Sequence, residues 1–416
     1  MASFLFFPYS NQLGSTIPSI TLAKMLQAKG HQVTYASNGK FTQVLIDKGF
    51  DVLPINEVSY LQYRRHVDEN NVDFYSESLI HHFVDTELDL IRKVNPDVIV
   101  SNNRPTIKLS SQIAGKKMVS IVIPTLTRYY GHHYYIPENH FLNTLYPFGD
   151  SNAIIPPSVR KYAFLKTMKH WSRHFGPVCN YYGIPKLRDY LSVYEGDITL
   201  INQSPGVSPF QNLPSNYFFL EQKLESTFGE SHSWLSNLKA QKEAGKKVVY
   251  ISMGSSALKS FPLVIQTLEQ LLQKHENLVL VSNHTGLTQE HKSTERHYTE
   301  KFIRSQEVLP LADIVITHGG INTLTECLLQ GKTVLGIPEQ GEQLWNLKYA
   351  EEKGLGKVLS KFQLEKNPEI IGPALVTMLV DSSYQEKSKL FLEERAKQVP
   401  SFKTENDLYQ AILNLL

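Results

Sequence analysis

The chain has 416 residues, which is too long for one ordinary hydrophobic core and predicts two domains. Its 42 Lys and Arg nearly balance 40 Asp and Glu, so the net charge of +2 gives no electrostatic basis for binding nucleic acid. Cys179 and Cys327 lie far apart, which argues against a disulfide scaffold or zinc site and favours a cytoplasmic protein. No apolar run reaches the length of a membrane span, and we predict no signal peptide.

The N-terminal half begins with a strand at 3–10, a helix at 18–30 and a second strand at 31–37. This β-α-β order predicts a right-handed crossover and a parallel sheet. Further elements are predicted in chain order: a helix at 74–94, strands at 96–103 and 116–124, helical structure at 157–195, and strands at 197–203 and 216–222. The segment at 127–149 is aromatic, rich in His and without periodicity.

After a polar linker at 223–233, the same rhythm of strand, glycine turn and helix starts again. Its predicted elements are strands with glycine turns at 246–256 and 313–320, strands at 277–284 and 333–338, helices at 262–275, 321–331 and 341–354, and a helical tail at 368–416. The two halves together predict two doubly wound, Rossmann-like α/β domains that face each other across a cleft.

The sequence THGGINTLTE follows a buried strand and opens a helix. The first N–H groups of such a helix are unpaired and lie at the positive end of its dipole, so they favour an anion, especially a phosphate. Gly319 and Gly320 let a diphosphate approach the backbone, and His318 can donate a hydrogen bond to it. Asn322 and Thr323 add donors in the first turn, although a tight turn with an ordinary helix cap explains the same residues.

Two carboxylates extend this candidate site. Glu326 lies about one turn after Asn322 and can accept hydrogen bonds from ribose hydroxyls. The next loop, PEQGEQLWN, offers Glu342 and Gln343 as an acceptor–donor pair for sugar hydroxyls. The spacing of the whole segment is therefore more specific than the HGG turn alone.

This segment resembles the nucleotide-sugar signature of the inverting GT-B glycosyltransferases, the UDP-glycosyltransferase-like superfamily of bacterial antibiotic and plant natural-product enzymes. The family's His-Cys/Gly-Gly-x-Asn-Ser/Thr…Glu motif falls on His318, Gly319, Gly320, Asn322, Thr323 and Glu326. Its Asp-Gln pair falls on Glu342 and Gln343, with Glu in place of Asp. The resemblance covers the chain in order, most strongly at 246–358.

The resemblance implies further donor-binding residues. Gly254, Ser255 and Ser256 should face the diphosphate. The segment FIRSQEVLPLAD at 302–313 matches the family's base site, with Gln306 on its Gln. Ile303 replaces the family's Trp, so we expect the backbone at Ile303 to contact the nucleotide base of the donor.

The resemblance also implies domain roles and an activity. Residues 1–225 would bind the acceptor, residues 240–399 the donor, and a helix at 400–416 would pack back onto the first domain. The enzyme would be a Leloir hexosyltransferase that moves a sugar from UDP or TDP to an aromatic or natural-product acceptor with inversion. It would need no cofactor and no metal, contact membranes at most peripherally, and act as a monomer or homodimer.

The first loop departs from the family pattern. Relatives carry Gly-His-x-x-Pro or Gly-Asp-x-x-Pro, whereas this loop has Gly14 followed by Ser15, and Asn102 stands where relatives have an Asp. A neutral serine is a poor general base. Three explanations stay open: an acidic acceptor, another base from His132, His133 or Glu138, or a chain that binds donors but transfers sugar poorly.

The acceptor side is less defined. Gly14 should contact the donor and Ser15 should face the cleft, with Asn11, Asn102, Tyr134 and Tyr135 as candidate acceptor contacts. The aromatic segment suits aromatic or lipid-like acceptors, or it packs as a lid. Two rival functions therefore stay open: a transferase acting on a lipid or cell-wall intermediate, and a nucleotide-sugar-binding pseudoenzyme or partner protein.

Overall fold

The computed structural model describes residues 1–68, 74–137, 151–221, 231–254, 260–283 and 293–416. Three predicted site residues, Glu138, Ser255 and Ser256, lie outside these ranges, as does most of the predicted linker at 223–233. Two parallel β-sheets with helices packed against them form the described chain. The prediction of two doubly wound α/β domains is therefore confirmed, while the bounds 1–225 and 240–399 stay a prediction.

Seven strands form the first sheet, in the spatial order β3-β2-β1-β4-β5-β6-β7. The strands are β1 Ser3–Pro8, β2 Gln32–Ala36, β3 Asp51–Leu53, β4 Val98–Asn102, β5 Lys117–Val122, β6 Ile198–Ile201 and β7 Tyr217–Phe219. The helices around them are α1 Leu13–Ala28, α2 Thr42–Asp47, α3 Tyr60–Asp68, α4 Glu77–Val94, α5 Ile107–Ile113, α6 Ser151–Ile154, α7 Pro157–Trp171 and α8 Phe175–Tyr181. The central strands read as continuous apolar runs because helices cover both faces of the sheet.

Six strands form the second sheet, in the order β10-β9-β8-β11-β12-β13. The strands are β8 Lys247–Ser252, β9 Leu278–Asn283, β10 His297–Glu300, β11 Ile314–Thr317, β12 Thr333–Gly336 and β13 Gly356–Val358. The helices are α9 Leu235–Glu243, α10 Phe261–Lys274, α11 Ser305–Val308, α12 Ile321–Leu329, α13 Gly341–Glu352, α14 Lys361–Lys366, α15 Ile371–Val380, α16 Ser383–Gln398 and α17 Glu405–Leu413.

The chain crosses between the two halves more than once. Leu408 and Ile412 of α17 are buried in the core of the first sheet, together with Phe4 and Leu22. Val207, which follows β6, is buried in a core cluster of the second sheet. Each core therefore includes a residue supplied by a distant part of the chain.

The sequence-based expectation for the first helix is wrong in detail. Helix α1 begins at Leu13 rather than at 18, so Ser15 lies in its first turn and not in a loop. Pro18 lies inside this helix, where it leaves out the backbone hydrogen bond that would reach the Gly14 carbonyl.

The sequence analysis also missed three strands at the sheet edges, β3, β10 and β13, which have three or four residues each. The region 157–195 forms separate pieces, α7, α8 and a 3₁₀ turn at Tyr190–Tyr194, rather than continuous helix.

Candidate active site

The HGG turn joins β11 to α12 at the carboxyl edge of the second sheet. Gly319 has φ of 85°, and a β-carbon there would lie 2.5 Å from Leu347 Cγ. A β-carbon on Gly320 would lie 2.7 Å from His318 Nε2. Both positions therefore favour glycine. Among the described residues, no side chain caps the N-terminus of α12, a position that favours an anion.

His318 is buried between two glycines. Its side chain is 6% exposed, and a β-carbon on Gly254 would lie 2.5 Å from its Cε1 atom. Burial lowers the pKa of His318 to about 4, so the imidazole is neutral near pH 7. A neutral imidazole has one N–H donor and one acceptor nitrogen. His318 can therefore donate a hydrogen bond to a phosphate oxygen without bringing a charge into the site.

Glu326 connects α12 to the predicted base-binding segment. Both of its carboxylate oxygens accept from Ser305 Oγ at 2.8 Å. Burial raises the pKa of Glu326, and the Ser305 hydrogen bond opposes that rise. Ser305 begins α11 two residues after Ile303, which is half-buried against the core, whereas Gln306 is exposed. The predicted ribose and base contacts therefore lie side by side.

Sequence reasoning missed Ser305 and the aromatic support behind this segment. His232 stacks on Trp234 with ring centroids 4.7 Å apart, and Trp234 stacks on Tyr298 at 5.1 Å. His232 Nε2 accepts a hydrogen bond from the Arg304 backbone N–H at 3.3 Å. The stack thus holds the chain just before α11. A single serine and three dispersed aromatic residues gave no motif that could reveal this arrangement.

The Glu342–Gln343 pair begins α13. Gln343 is 3% exposed, and its side-chain oxygen accepts from the Glu339 backbone N–H at 2.9 Å. Asn346 Nδ2 donates to Glu342 Oε1 at 2.5 Å and to the Gly319 carbonyl at 3.1 Å. Asn346 therefore ties Glu342 to the HGG turn. Burial raises the pKa of Glu342 to about 7, so near neutral pH its carboxyl group exists in both protonation states.

Three predicted residues near the first loop are held within the first domain. Asn11 Nδ2 donates to the Val58 carbonyl at 2.8 Å, and its Oδ1 accepts from the Lys40 N–H at 2.9 Å. Asn102 Nδ2 donates to the Ser15 carbonyl at 2.5 Å. Ser15 is 4% exposed. These contacts give Asn11 and Asn102 a scaffold role and fix the backbone at the position where relatives carry the base.

The first turn of α1 reaches α12 across the cleft. A β-carbon on Gly14 would lie 3.9 Å from Asn322 Nδ2. Thr323, the next residue of α12, is half-buried. The structure therefore brings together Gly14, His318, Gly319, Gly320 and Asn322, while their roles in binding stay a prediction.

His132 belongs to a contact between the domains that we call the interdomain clasp, formed by His132, Tyr135, Trp345 and Glu352. His132 Nε2 lies 2.8 Å from Glu352 Oε2, and the Tyr135 hydroxyl donates to the same carboxylate. Trp345 Nε1 donates to the Tyr135 carbonyl at 2.7 Å. Burial lowers the pKa of His132. Glu352 ends α13 and lies about 15 Å along the helix from Glu342, so His132 is remote from the HGG turn.

The other aromatic candidates are placed nearby. Tyr134 is 3% exposed, stacks on Phe164 with centroids 4.5 Å apart, and meets Trp345 edge-on at 5.0 Å. His133 is exposed. The described part of the aromatic segment therefore packs as a lid between the domains and does not place either His beside the diphosphate position.

A cavity of about 350 Å³ lies in the first domain, between the end of β3 and α4. Val58, Phe74, Leu79 and Phe83 supply its apolar lining, and polar side chains including Glu57 and His82 complete it. The sequence analysis did not identify this cavity, because its residues are dispersed over segments with no shared motif. Its mixed lining suits an organic molecule with polar substituents.

Two features are absent from the described ranges. None of the helices placed there is long and apolar enough to cross a membrane. Within the same ranges, no group of three His, Cys, Asp or Glu side chains is arranged to hold a metal ion.

Known glycosyltransferases resemble this chain in sequence. Residues 248–403 match the family model of the glycosyltransferase family 28 C-terminal domain. A PGL/p-HBAD biosynthesis glycosyltransferase of Mycobacterium tuberculosis is 21% identical over 94% of this chain and 87% of the relative. The UDP-N-acetylglucosamine–N-acetylmuramyl-(pentapeptide) pyrophosphoryl-undecaprenol N-acetylglucosamine transferase of Streptococcus mutans is 32% identical over 40% of this chain and 45% of the relative.

Solved structures extend the comparison to the whole fold. A spinosyn rhamnosyltransferase complexed with thymidine diphosphate superposes with a TM-score of 0.67 at 15% identity, covering 100% of both chains. A spinosyn forosaminyltransferase gives a TM-score of 0.68 at 15% identity over 100% of this chain and 99% of the other. The chain therefore has the GT-B fold.

Proposed function

We propose that this chain, a glycosyltransferase of the GT-B type with a glycosyltransferase family 28 C-terminal domain, transfers a sugar from a nucleoside diphosphate with inversion. The observation that carries the proposal is the HGG turn, where His318 lies between Gly254 and Gly320 at the N-terminus of α12. UDP- or TDP-sugars are the proposed donors, and the solved relative that holds thymidine diphosphate supports that choice.

The proposed donor site has three parts. The N–H groups of α12 and the neutral His318 would stabilise charge that develops on the leaving diphosphate. Glu326 would accept from ribose hydroxyls, and Glu342 would accept from a sugar hydroxyl. Because backbone dipoles and neutral donors supply this stabilisation, we propose that no metal is essential.

Transfer with inversion requires the acceptor to attack opposite the diphosphate. Ser15 would not act as a strong base, because a neutral hydroxyl has little proton affinity and Ser15 is nearly buried. His132 is engaged with Glu352 in the interdomain clasp, so it is a weaker candidate than its sequence suggested. We therefore favour an acceptor with an acidic hydroxyl or carboxyl group, which would need little help in losing its proton.

Small natural-product acceptors are favoured by the mixed lining of the 350 Å³ cavity in the first domain. A second candidate is a lipid-linked or cell-wall intermediate. It is favoured by the 32% identity, over 40% of this chain, to the pyrophosphoryl-undecaprenol N-acetylglucosamine transferase. Flotation with lipid vesicles separates the two, because only the second acceptor class requires the enzyme to work at a membrane surface.

The decisive experiment is calorimetric titration with UDP, TDP and GDP, followed by turnover assays with the matching sugar donors. Tight binding of one diphosphate together with turnover supports the transferase. Binding without turnover on a broad acceptor panel would instead support a nucleotide-sugar-binding protein without transferase activity. Absence of binding would refute the placement of the diphosphate at the HGG turn.

A further inference from the structure

Two side chains that follow β6 cross the cleft and contact α12. Asn202 Nδ2 donates to Asn322 Oδ1 at 3.2 Å, and Gln203 Nε2 donates to Thr325 Oγ1 at 3.4 Å. Asn202 and Gln203 are each 2% exposed. A buried amide without partners costs free energy, so these residues favour the arrangement in which the two domains meet.

Asn202 is held firmly by the first sheet. Its backbone N–H donates to the Val122 carbonyl at 2.8 Å, which extends the pairing of β5 with β6 by one residue. A side chain that projects from a paired strand is placed more accurately than one on a free loop. Asn202 can therefore fix the orientation of whatever group it contacts.

Asn202 contacts the side-chain amide of Asn322, which has an acceptor end and a donor end. The Asn322 oxygen accepts hydrogen bonds, while its nitrogen donates them. Asn202 binds the oxygen, and the nitrogen lies 3.9 Å from the β-carbon position of Gly14. The Asn322 amide, in the first turn of α12, is thus oriented with its donor end toward the first turn of α1.

We propose that Asn202 is a positioning residue that holds the Asn322 amide with its N–H groups toward the diphosphate, and that it does so only when the domains are closed. This inference rests on the proposed function, because it requires a diphosphate at the HGG turn. Gln203 makes the matching contact one turn further along α12, at Thr325, and has no part in orienting Asn322.

The test is a double-mutant cycle on the affinity for UDP and TDP, measured by calorimetry. Asn202→Ala should weaken binding about 3- to 10-fold, the size expected for one lost hydrogen bond. In an Asn322→Ala background, Asn202→Ala should have no further effect, because the group it orients is gone. Two losses that simply multiply would overturn the proposal.

Two further variants sharpen the cycle. Asp at position 202 cannot donate to the Asn322 oxygen, so the amide should turn its N–H groups away from the diphosphate. The Asn202→Asp variant should therefore bind the diphosphate less tightly than the Asn202→Ala variant. When Asn202→Asp is combined with Asn322→Ala, any loss of affinity that remains measures the effect of the added negative charge alone. If Asn202→Asp bound as tightly as Asn202→Ala, the proposed orientation would be wrong.

Gln203→Ala is the matched control, because it removes an equally buried amide that reaches the same helix. It should change diphosphate affinity less than about 2-fold while melting curves confirm that each variant folds. A loss equal to that of Asn202→Ala would mean that docking of the domains, and not amide orientation, matters. Wild type that binds none of the diphosphates would overturn the proposed function together with this inference, whereas tight wild-type binding with multiplying losses would overturn the inference alone.

Discussion

Replacing Gly319 with alanine tests how tightly the HGG turn is packed. Its φ of 85° lies in a region that costs an L-residue about 1–2 kcal/mol. The new β-carbon would also lie 2.5 Å from Leu347 Cγ and 2.8 Å from the Gln343 carbonyl oxygen. Leu347 is 1% exposed and cannot move into solvent, so overpacking adds about 1–3 kcal/mol. We expect a total destabilisation of about 2–5 kcal/mol.

Gly245→Ala is the matched control. Gly245 has φ of 86°, but no atom lies within 4 Å of its β-carbon position. Because of this open space, its alanine variant carries only the cost of the backbone conformation. Gly245 also belongs to the second half of the chain, just before β8. Differential scanning calorimetry should show a Tm loss of about 2–8 °C for this variant and about 4–20 °C for Gly319→Ala.

The difference between the two variants isolates the contact of the turn with α13. Gly319→Ala should also weaken diphosphate binding when it is measured at a temperature where both variants are folded. The reason is that a displaced α13 shifts the first N–H groups of α12. If Gly319→Ala were no less stable than Gly245→Ala, Leu347 would not pack against the turn as described, and the argument for a rigid anion site would fail.

Three further variants test other parts of the molecule. Burial holds the pKa of His318 near 4 against 6.5 when unfolded, so its neutral form stabilises the fold above about pH 6.5 and that stability is lost as pH falls. His318→Gln should therefore flatten the acid limb of a urea-unfolding profile, and an unchanged slope would contradict this. Ser15→Ala should lower kcat less than about 10²-fold, and a larger loss would identify Ser15 as a base. Glu352→Ala removes the carboxylate that His132 and Tyr135 share in the interdomain clasp. It should lower kcat without changing the diphosphate affinity measured by titration. A loss of diphosphate affinity as large as the loss of kcat would place the clasp in the donor site.

The donor-side elements were predictable because their physical signals are local. Strand β11 is buried on both faces and reads as a continuous apolar run, and Gly319 and Gly320 mark the turn that follows. The helix after the turn then fixes where Asn322 and Glu326 lie relative to each other. Both the local fold and the anion site were therefore predictable, because their residues lie close together in one strand–turn–helix unit.

Contacts between distant segments were not predictable. Asn202 and Asn322 are 120 positions apart, and His132 and Glu352 are 220 positions apart. No periodicity links residues at such separations, so a polar side chain after β6 looked like any other loop residue. The start of α1 was also misjudged, because Pro18 is typical of a first turn but lies inside this helix.

Helix α17 has a consequence for how the protein is made. Leu408 and Ile412 complete the core of the first sheet, yet the ribosome releases them only after the whole second domain has been synthesised. The first domain therefore exposes apolar surface while the second domain is synthesised and folds. Chaperones can bind this surface during that period. A first half expressed alone should aggregate, and a separately supplied α17 peptide should restore its solubility.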